Sequence, residues 1–285
     1  MILTDTHCHL DLENFDPDRS AVLERAAQAG VVHILVPGLS LPSSRSAVKL
    51  AKSHPMLSAA IGVHPTEAAT WNESSFDELL SLFSSPYGNG ERGESKIVAI
   101  GEIGLDYYWN AATQELQKNI LQLQLDLAAR LGLPVILHMR ESKEEQHEQC
   151  ASDLLQILEK WTAGLRQGNN RLAERPGVLH SFDGSLETAR RAIRLGFAIG
   201  VTGPVTFSNA HARQAIVSEL PLDRVLLETD APFQTPHPYR GKRNEPSYVR
   251  LIADKIALLH ACTLEEVATA TSRNAGRLFG WKETA

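Results

Sequence analysis

Eight short apolar runs rich in β-branched residues punctuate the sequence, and an amphipathic stretch fills nearly every gap between them. The runs fall at residues 2–6, 31–36, 57–63, 97–103, 134–138, 177–182, 197–202 and 224–229. Helical spacing occupies 17–29, 42–53, 75–83, 114–131, 152–165, 186–195 and 210–220. Strands that alternate with helices pair in parallel through right-handed crossovers. Eight is also the number that closes a (β/α)8 barrel. Gly30, Gly132 and Gly196 each follow a helical stretch directly and supply its C-terminal cap. Two further amphipathic stretches, 247–260 and 264–279, complete the outer ring. The competing doubly wound sheet would carry G-x-G-x-x-G after its first strand. Thr6-His-Cys-His-Leu10 stands there instead. The expected fold is therefore α/β, a single (β/α)8 TIM barrel with its site at the C-terminal ends of the strands. At 285 residues the chain is close to the roughly 250 that such barrels use as one unit, and no repeat or linker divides it, so residues 1–285 read as one domain. Two polar stretches, 84–95 (SSPYGNGERGES) and 164–176 (GLRQGNNRLAERP), read as spacer loops on the face away from the chemistry.

The strand ends carry the chemistry. Residues i and i+2 of a strand share a face, so His7 and His9 present two imidazoles together at the end of the first strand, while Cys8 points away. An isolated His-x-His pair is often surface decoration. Here, however, the fourth run ends near Glu102, the fifth at His138 and Arg140, the sixth at His180, and the eighth at Asp230. One histidine ending an apolar strand is usually a satisfied core residue. Six potential ligands at the C-terminal ends of five strands, where barrel active sites lie, are hard to explain as packing. His7, His9, Glu102, His138, His180 and Asp230 are the expected metal ligands.

Six donors exceed the three protein ligands that one catalytic zinc usually takes, so two divalent ions are expected. If Glu102 bridges, His7, His9 and Asp230 complete one site and His138 and His180 the other. Two such ions carry +4 against −2 from Glu102 and Asp230, and the remainder favours an anionic substrate such as a phosphodiester. Imidazole ligands suit zinc, manganese or nickel. The chain as a whole is acidic, with 28 Lys and Arg against 34 Asp and Glu for a net charge of −6. It is not built to coat nucleic acid, and any polyanion must meet a local positive site. Three well-separated cysteines, with no leader-like N-terminus and no long apolar run, point to a reducing, cytoplasmic setting with no membrane span. No obligate protein partner is evident.

The motifs that surround these residues closely resemble the TatD-type metal-dependent deoxyribonucleases of the amidohydrolase-like barrel superfamily. They run from Thr4-Asp-Thr-His-Cys-His-Leu10 through Gly62-Val-His-Pro65, Gly101-Glu-Ile-Gly-Leu-Asp106 and Leu137-His-Met-Arg140. His180-Ser-Phe-Asp-Gly184, Leu227-Glu-Thr-Asp-Ala-Pro232, Arg240-Gly-Lys-Arg-Asn244 and Asn274-Ala-Gly-Arg-Leu-Phe279 continue the match, which is nearly end to end. The resemblance implies a divalent-metal hydrolase of nucleic-acid phosphodiesters that uses these six ligands and can employ magnesium. Ser181 stands where cysteine is common, and residues 141–150 lack the Asp-Ala-His of some relatives.

Roles follow from placement. Glu102 and Asp230 are the expected catalytic carboxylates, with Asp230 as proton acceptor. His64 and Arg140, at the same rim, are expected to contact substrate, Arg140 through a bidentate grip on phosphate. Glu228 and Asp5, one pleat below Asp230 and His7, are expected to orient ligands from behind. The basic stretch 240–244 either steers a polyanion or is solvated surface. DNA, single-stranded or at its ends, is the expected substrate. A hydrolase of amides or esters on the same scaffold, such as an aminoacyl-tRNA deacylase, would share every ligand. A catalytically silent nucleic-acid-binding protein would not need the complete set.

Overall fold

The computed structural model describes residues 1–84, 96–109, 111–143 and 148–281. Eight strands form one sheet in chain order, every adjacent pair parallel. They are β1 (Leu3–Asp5), β2 (Val31–Pro37), β3 (Leu57–Ile61), β4 (Ile97–Asp106), β5 (Val135–Arg140), β6 (Gly177–Leu179), β7 (Ala198–Val201) and β8 (Val225–Leu227). The helices between and after them are α1 (Arg19–Gln28), α2 (Leu41–Ser53), α3 (Ser75–Ser84), α4 (Gln114–Leu131), α5 (Gln149–Gln167), α6 (Leu186–Leu195), α7 (His211–Glu219), α8 (Val249–Leu259) and α9 (Leu264–Phe279). The sheet curls into a nearly closed barrel. Its seam is stitched past the ends of β1 and β8, where Thr6 N–H donates to Leu227 O at 2.9 Å and Asp230 N–H to His7 O at 2.9 Å. Gly132 and Gly196 cap α4 and α6 in left-handed conformations (φ +68° and +105°) that a side chain would strain.

Leu35, Ala60, Val98, Ile136, Val178 and Leu226 come from six strands and form one buried apolar cluster with Leu278 and Phe279 of α9. That cluster fills the barrel interior. α9 closes the N-terminal ends of the strands, where Ser272 donates to Ile2 O and Asn274 to Val225 O. With the bottom plugged by apolar side chains, polar groups can converge only at the top.

Strand limits differ from the alternation pattern in an informative way. β1, β6 and β8 each keep only three residues, and β4 runs on to Asp106. The chain leaves the ladder as its polar side chains begin to converge, and Ser181 (φ +44°) and Asp230 (φ +55°) take left-handed backbone there. The expected loop 164–176 is corrected in part. α5 runs through Gln167 and a short turn of 3-10 helix spans Arg171–Glu174, capped by the Asn170 side chain. The other expected loop, 84–95, lies outside the described residues apart from Ser84, the last residue of α3.

Candidate metal centre

All six expected ligands meet at the top of the barrel around Glu102, which β4 carries into the interior. His7 Nε2 lies 3.2 Å and His9 Nε2 4.0 Å from Glu102 Oε2, and these two imidazole nitrogens are 3.3 Å apart. Asp230 Oδ1 approaches the same group, 3.4 Å from His9 Nε2 and 3.9 Å from His7 Nε2. His138 Nδ1 meets the other carboxylate oxygen, Glu102 Oε1, at 2.8 Å. His180 stacks on His7 with ring centroids 3.4 Å apart and brings Nε2 to 3.7 Å from Asp230. His180 therefore stands beside His7 and Asp230, where the sequence grouped it with His138. Within 4.8 Å, the donors converge as His7–His9–Asp230, His7–Glu102–His180 and His64–Glu102–His138. Cys8 is buried in the apolar core and joins none of these groups.

Two of the imidazoles, His180 and His138, are aimed from behind. Glu228 accepts His180 Nδ1–H at 2.9 Å and Ser181 N–H at 2.8 Å, which turns Nε2 of His180 toward the centre. The space for that carboxylate exists because residue 200 is glycine: a Cβ there would lie 2.2 Å from Glu228 Oε2. Asp5 acts one step further out. It accepts Thr229 N–H at 2.9 Å and His7 N–H at 3.3 Å, with Thr229 Oγ1 at 2.6 Å, and so pins the backbone of β1 and β8 together beneath the rim. His7 Nδ1 and His9 Nδ1 are buried without hydrogen-bond partners, so these rings are held in place polar-wise only through the convergent Nε2 atoms.

Two positioning residues were not singled out in the sequence. Asp106 Oδ2 lies 2.9 Å from His138 Nε2 and does for that ring what Glu228 does for His180. Strand parity marks it only once β4 is known to run past residue 103, since residues 102 and 106 then share a face. Gln234 donates to Asp230 Oδ2 at 2.6 Å and to Ser181 Oγ at 2.7 Å, and no periodicity could have marked it, because it sits in the irregular loop after β8. His64 is brought nearer the centre than expected, with Nε2 3.5 Å from Glu102 Oε1. Its Nδ1 accepts Thr66 N–H at 3.2 Å, so the tautomer inferred from that bond carries its proton on Nε2. Arg140 is exposed at the end of β5, its guanidinium 3.9 Å over the Tyr108 ring. The basic stretch 240–244 is committed to structure at its end, while Arg240 and Lys242 are exposed. Arg243 makes two 2.8 Å bonds to Asp18, and the Asn244 side chain donates to Thr229 O and Phe233 O.

The electrostatics suit cations. Burial pushes Glu102 upward, but the electrostatic pull of the His7 and His64 imidazoles and the bond from His138 outweigh it and hold the carboxyl well below its usual range. Asp230 is likewise lowered, burial being overcome by the hydrogen bond from His9 and the charge of His180. Burial, reinforced by the His180 charge, draws His7 down to about 4, so its ring is a neutral donor. Burial also opposes charge on His180, yet Glu228 and Glu102 raise it to about 9. Asp5, wholly buried, is pushed up to about 7 by desolvation. Two anionic carboxylates amid four imidazoles, open to a cavity of about 650 Å³, form the hard-and-borderline donor set that Mn, Zn, Ni or Mg ions take. The residues present fit divalent metal.

A (β/α)8 barrel with such a donor set at its C-terminal rim defines the class of metal-dependent hydrolases. The family described as TatD related DNase matches residues 4–280. A metal-dependent hydrolase, YabD of Bacillus subtilis, is 39% identical over 98% of this chain and 99% of its own. The 3'-5' ssDNA/RNA exonuclease TatD of Erwinia amylovora is 34% identical over 97% of this chain and 99% of its own. Among solved structures, the TatD homologue YjjV of Escherichia coli K12 superposes with a TM-score of 0.84 at 34% identity, covering 98% of both chains. The chain belongs to the TatD family, and it is a metal-dependent hydrolase acting on ester bonds.

Proposed function

We propose that this chain is a deoxyribonuclease that removes nucleotides from single-stranded ends, using two divalent ions held by His7, His9, Glu102, His138, His180 and Asp230, with residues 1–285 acting as one barrel domain. The observation that carries this reading is the two-sided engagement of Glu102, whose Oε2 faces His7 and His9 while Oε1 faces His138. A carboxylate so placed would be shared between two ions. The name of the Erwinia relative, an exonuclease of single-stranded DNA and RNA, supports the substrate class.

Bound there, divalent ions would supply Lewis-acid polarisation of the phosphoryl oxygen and a more acidic water. The residues of the chain do the rest. Asp230, anionic and fixed by Gln234 through Oδ2, keeps Oδ1 toward the centre, where it can take the proton of the attacking water. Glu228, Asp106 and Asp5 hold the ligand frame rigid, so the donors need not reorganise as charge develops. Arg140, at the cavity edge, is placed to grip a phosphate, and His64 Nε2–H is placed to donate to one. No helix among the described residues is long and apolar enough to cross a membrane.

Turnover on single-stranded DNA beside turnover on an aminoacyl-tRNA ester tests the reading. Metal-dependent release of nucleotides with negligible deacylation is expected. Deacylation without DNA cleavage would overturn it.

A further inference from the structure

Six large hydrophobic side chains are exposed among the described residues, and two of them, Trp109 (58%) and Phe233 (54%), line the cavity that holds the candidate metal centre. Neither is needed to fill a core. Trp109 follows β4 and Phe233 follows β8, and strands four places apart in an eight-stranded ring are opposite one another. The two rings thus stand on opposite walls of the mouth with Glu102 and Asp230 between them. Each is tied to its own half of the site. Phe233 packs edge-on to His9 with centroids 6.1 Å apart, and Asp106, which aims His138, accepts Trp109 N–H at 3.0 Å.

Positive charge accompanies the Trp109 wall. The Arg140 guanidinium lies 3.9 Å from the Tyr108 ring centroid and 5.4 Å from that of Trp109, and Lys143 Nζ lies 4.1 Å from Tyr108. Arg213 also lines the cavity, where it donates to Phe182 O and pairs with Asp183. An aromatic face beside a cation on one wall of an anion-seeking centre, with a second exposed aromatic face on the wall opposite, matches a nucleic-acid strand, in which bases and phosphates alternate.

We propose that Trp109 and Phe233 are stacking platforms for the two bases that flank the scissile phosphate of a single-stranded nucleic acid, with Arg140 holding the phosphate next to the Trp109 base. The proposal rests on the nuclease reading and adds how the strand is held. Because every base has a π-face, such a clamp is tolerant of sequence but demands unpaired bases. A duplex end would first have to open.

The test compares an oligodeoxynucleotide with natural bases against the same strand made abasic at its two terminal nucleotides on both ends. For the wild-type protein, KM is expected to rise about tenfold on the abasic strand. Trp109→Ala and Phe233→Ala should each raise KM about tenfold on the natural strand, leave kcat within about threefold, and show less further loss on the abasic one. Trp109→Phe, which keeps an aromatic face, should recover most of the loss. A second readout needs no turnover: titrating metal-free protein with the oligonucleotide should quench tryptophan fluorescence, and Trp109→Phe should abolish that quench. Equal KM on both strands with unaffected alanine variants would overturn the clamp while leaving the nuclease reading intact. A quench that survives in Trp109→Phe would also overturn it. Absence of any DNA cleavage by the wild type with every metal would instead remove the nuclease reading on which the clamp depends.

Discussion

Glu102 is 3% exposed, and four imidazoles approach it: His138 at 2.8 Å, His7 at 3.2 Å, His64 at 3.5 Å and His9 at 4.0 Å. A buried anion so surrounded costs stability unless cations or donors compensate it. Replacing it by the isosteric amide keeps the shape and removes the charge. Glu102→Gln is therefore expected to lower metal content from two ions toward one or none, with loss of turnover; full occupancy at normal rate would refute the shared-carboxylate assignment. His64 differs from the proposed ligands in its bond from Thr66 N–H, from which the tautomer inferred carries its proton on Nε2. His64→Ala should keep both ions while kcat/KM falls by about one to two powers of ten, the worth of a charge-assisted contact of roughly 1.5–3 kcal/mol. His7→Ala should lose metal affinity and regain rate in excess metal. If His64→Ala releases an ion as readily as His7→Ala, His64 is a ligand. The histidines and carboxylates at strand ends were legible because parity and strand order place them without side-chain detail. Asp106 and Gln234 were not, since one depended on the true length of β4 and the other on an irregular loop.

Between β8 and α8 the chain runs through an irregular loop and a short 3-10 turn at Pro246–Tyr248, and ion pairs to α1 and the turn before it fix its path. Glu245, buried at 7% exposure, accepts Arg25 Nε at 3.0 Å and Arg25 Nη2 at 2.6 Å, while Asp18 pairs with Arg243 and Arg25. Burial pushes Glu245 up, but the bonds from Arg25 and Ser247 hold it below its ordinary value; hydrogen bonds from Arg243 bring Asp18 down to about 2. Carboxyls depressed in the folded state contribute stability that is present above their unfolded pKa of about 4 and lost as pH falls through the folded value. Removing one partner of a buried pair costs about 3–5 kcal/mol, but Arg25 is 41% exposed and screened, so about 1–2 kcal/mol is expected for Glu245→Gln at neutral pH. Denaturant unfolding should show that loss at pH 7 shrinking as pH drops from about 4.5 toward 2. A loss that is constant across this range would contradict the ion-pair account. Strand and helix order were readable from alternation, yet the ends of β1, β6 and β8 were overestimated. Apolar periodicity continues past the last ladder bond, whereas the ladder stops where side chains turn toward the centre.

Across the whole molecule, the barrel separates stability from chemistry. Apolar side chains and α9 fill the lower interior, and the upper rim collects the groups that would be costly to bury anywhere else. The eight-strand architecture was legible because strand count and the missing glycine fingerprint left one fold, and the net charge of −6 required that any polyanion meet a local positive site. The two aromatic walls were invisible at that level, because a lone Trp or Phe beyond a strand reads equally well as core. The measurement that tests the central claim most directly strips the purified protein with chelator, restores one metal at a time, and follows end-labelled single-stranded, double-stranded and closed circular DNA. Cleavage should vanish on chelation, return with divalent metal, and proceed from free single-stranded ends. Cleavage that persists without metal, or that cuts closed circular duplex faster than free ends, would contradict it.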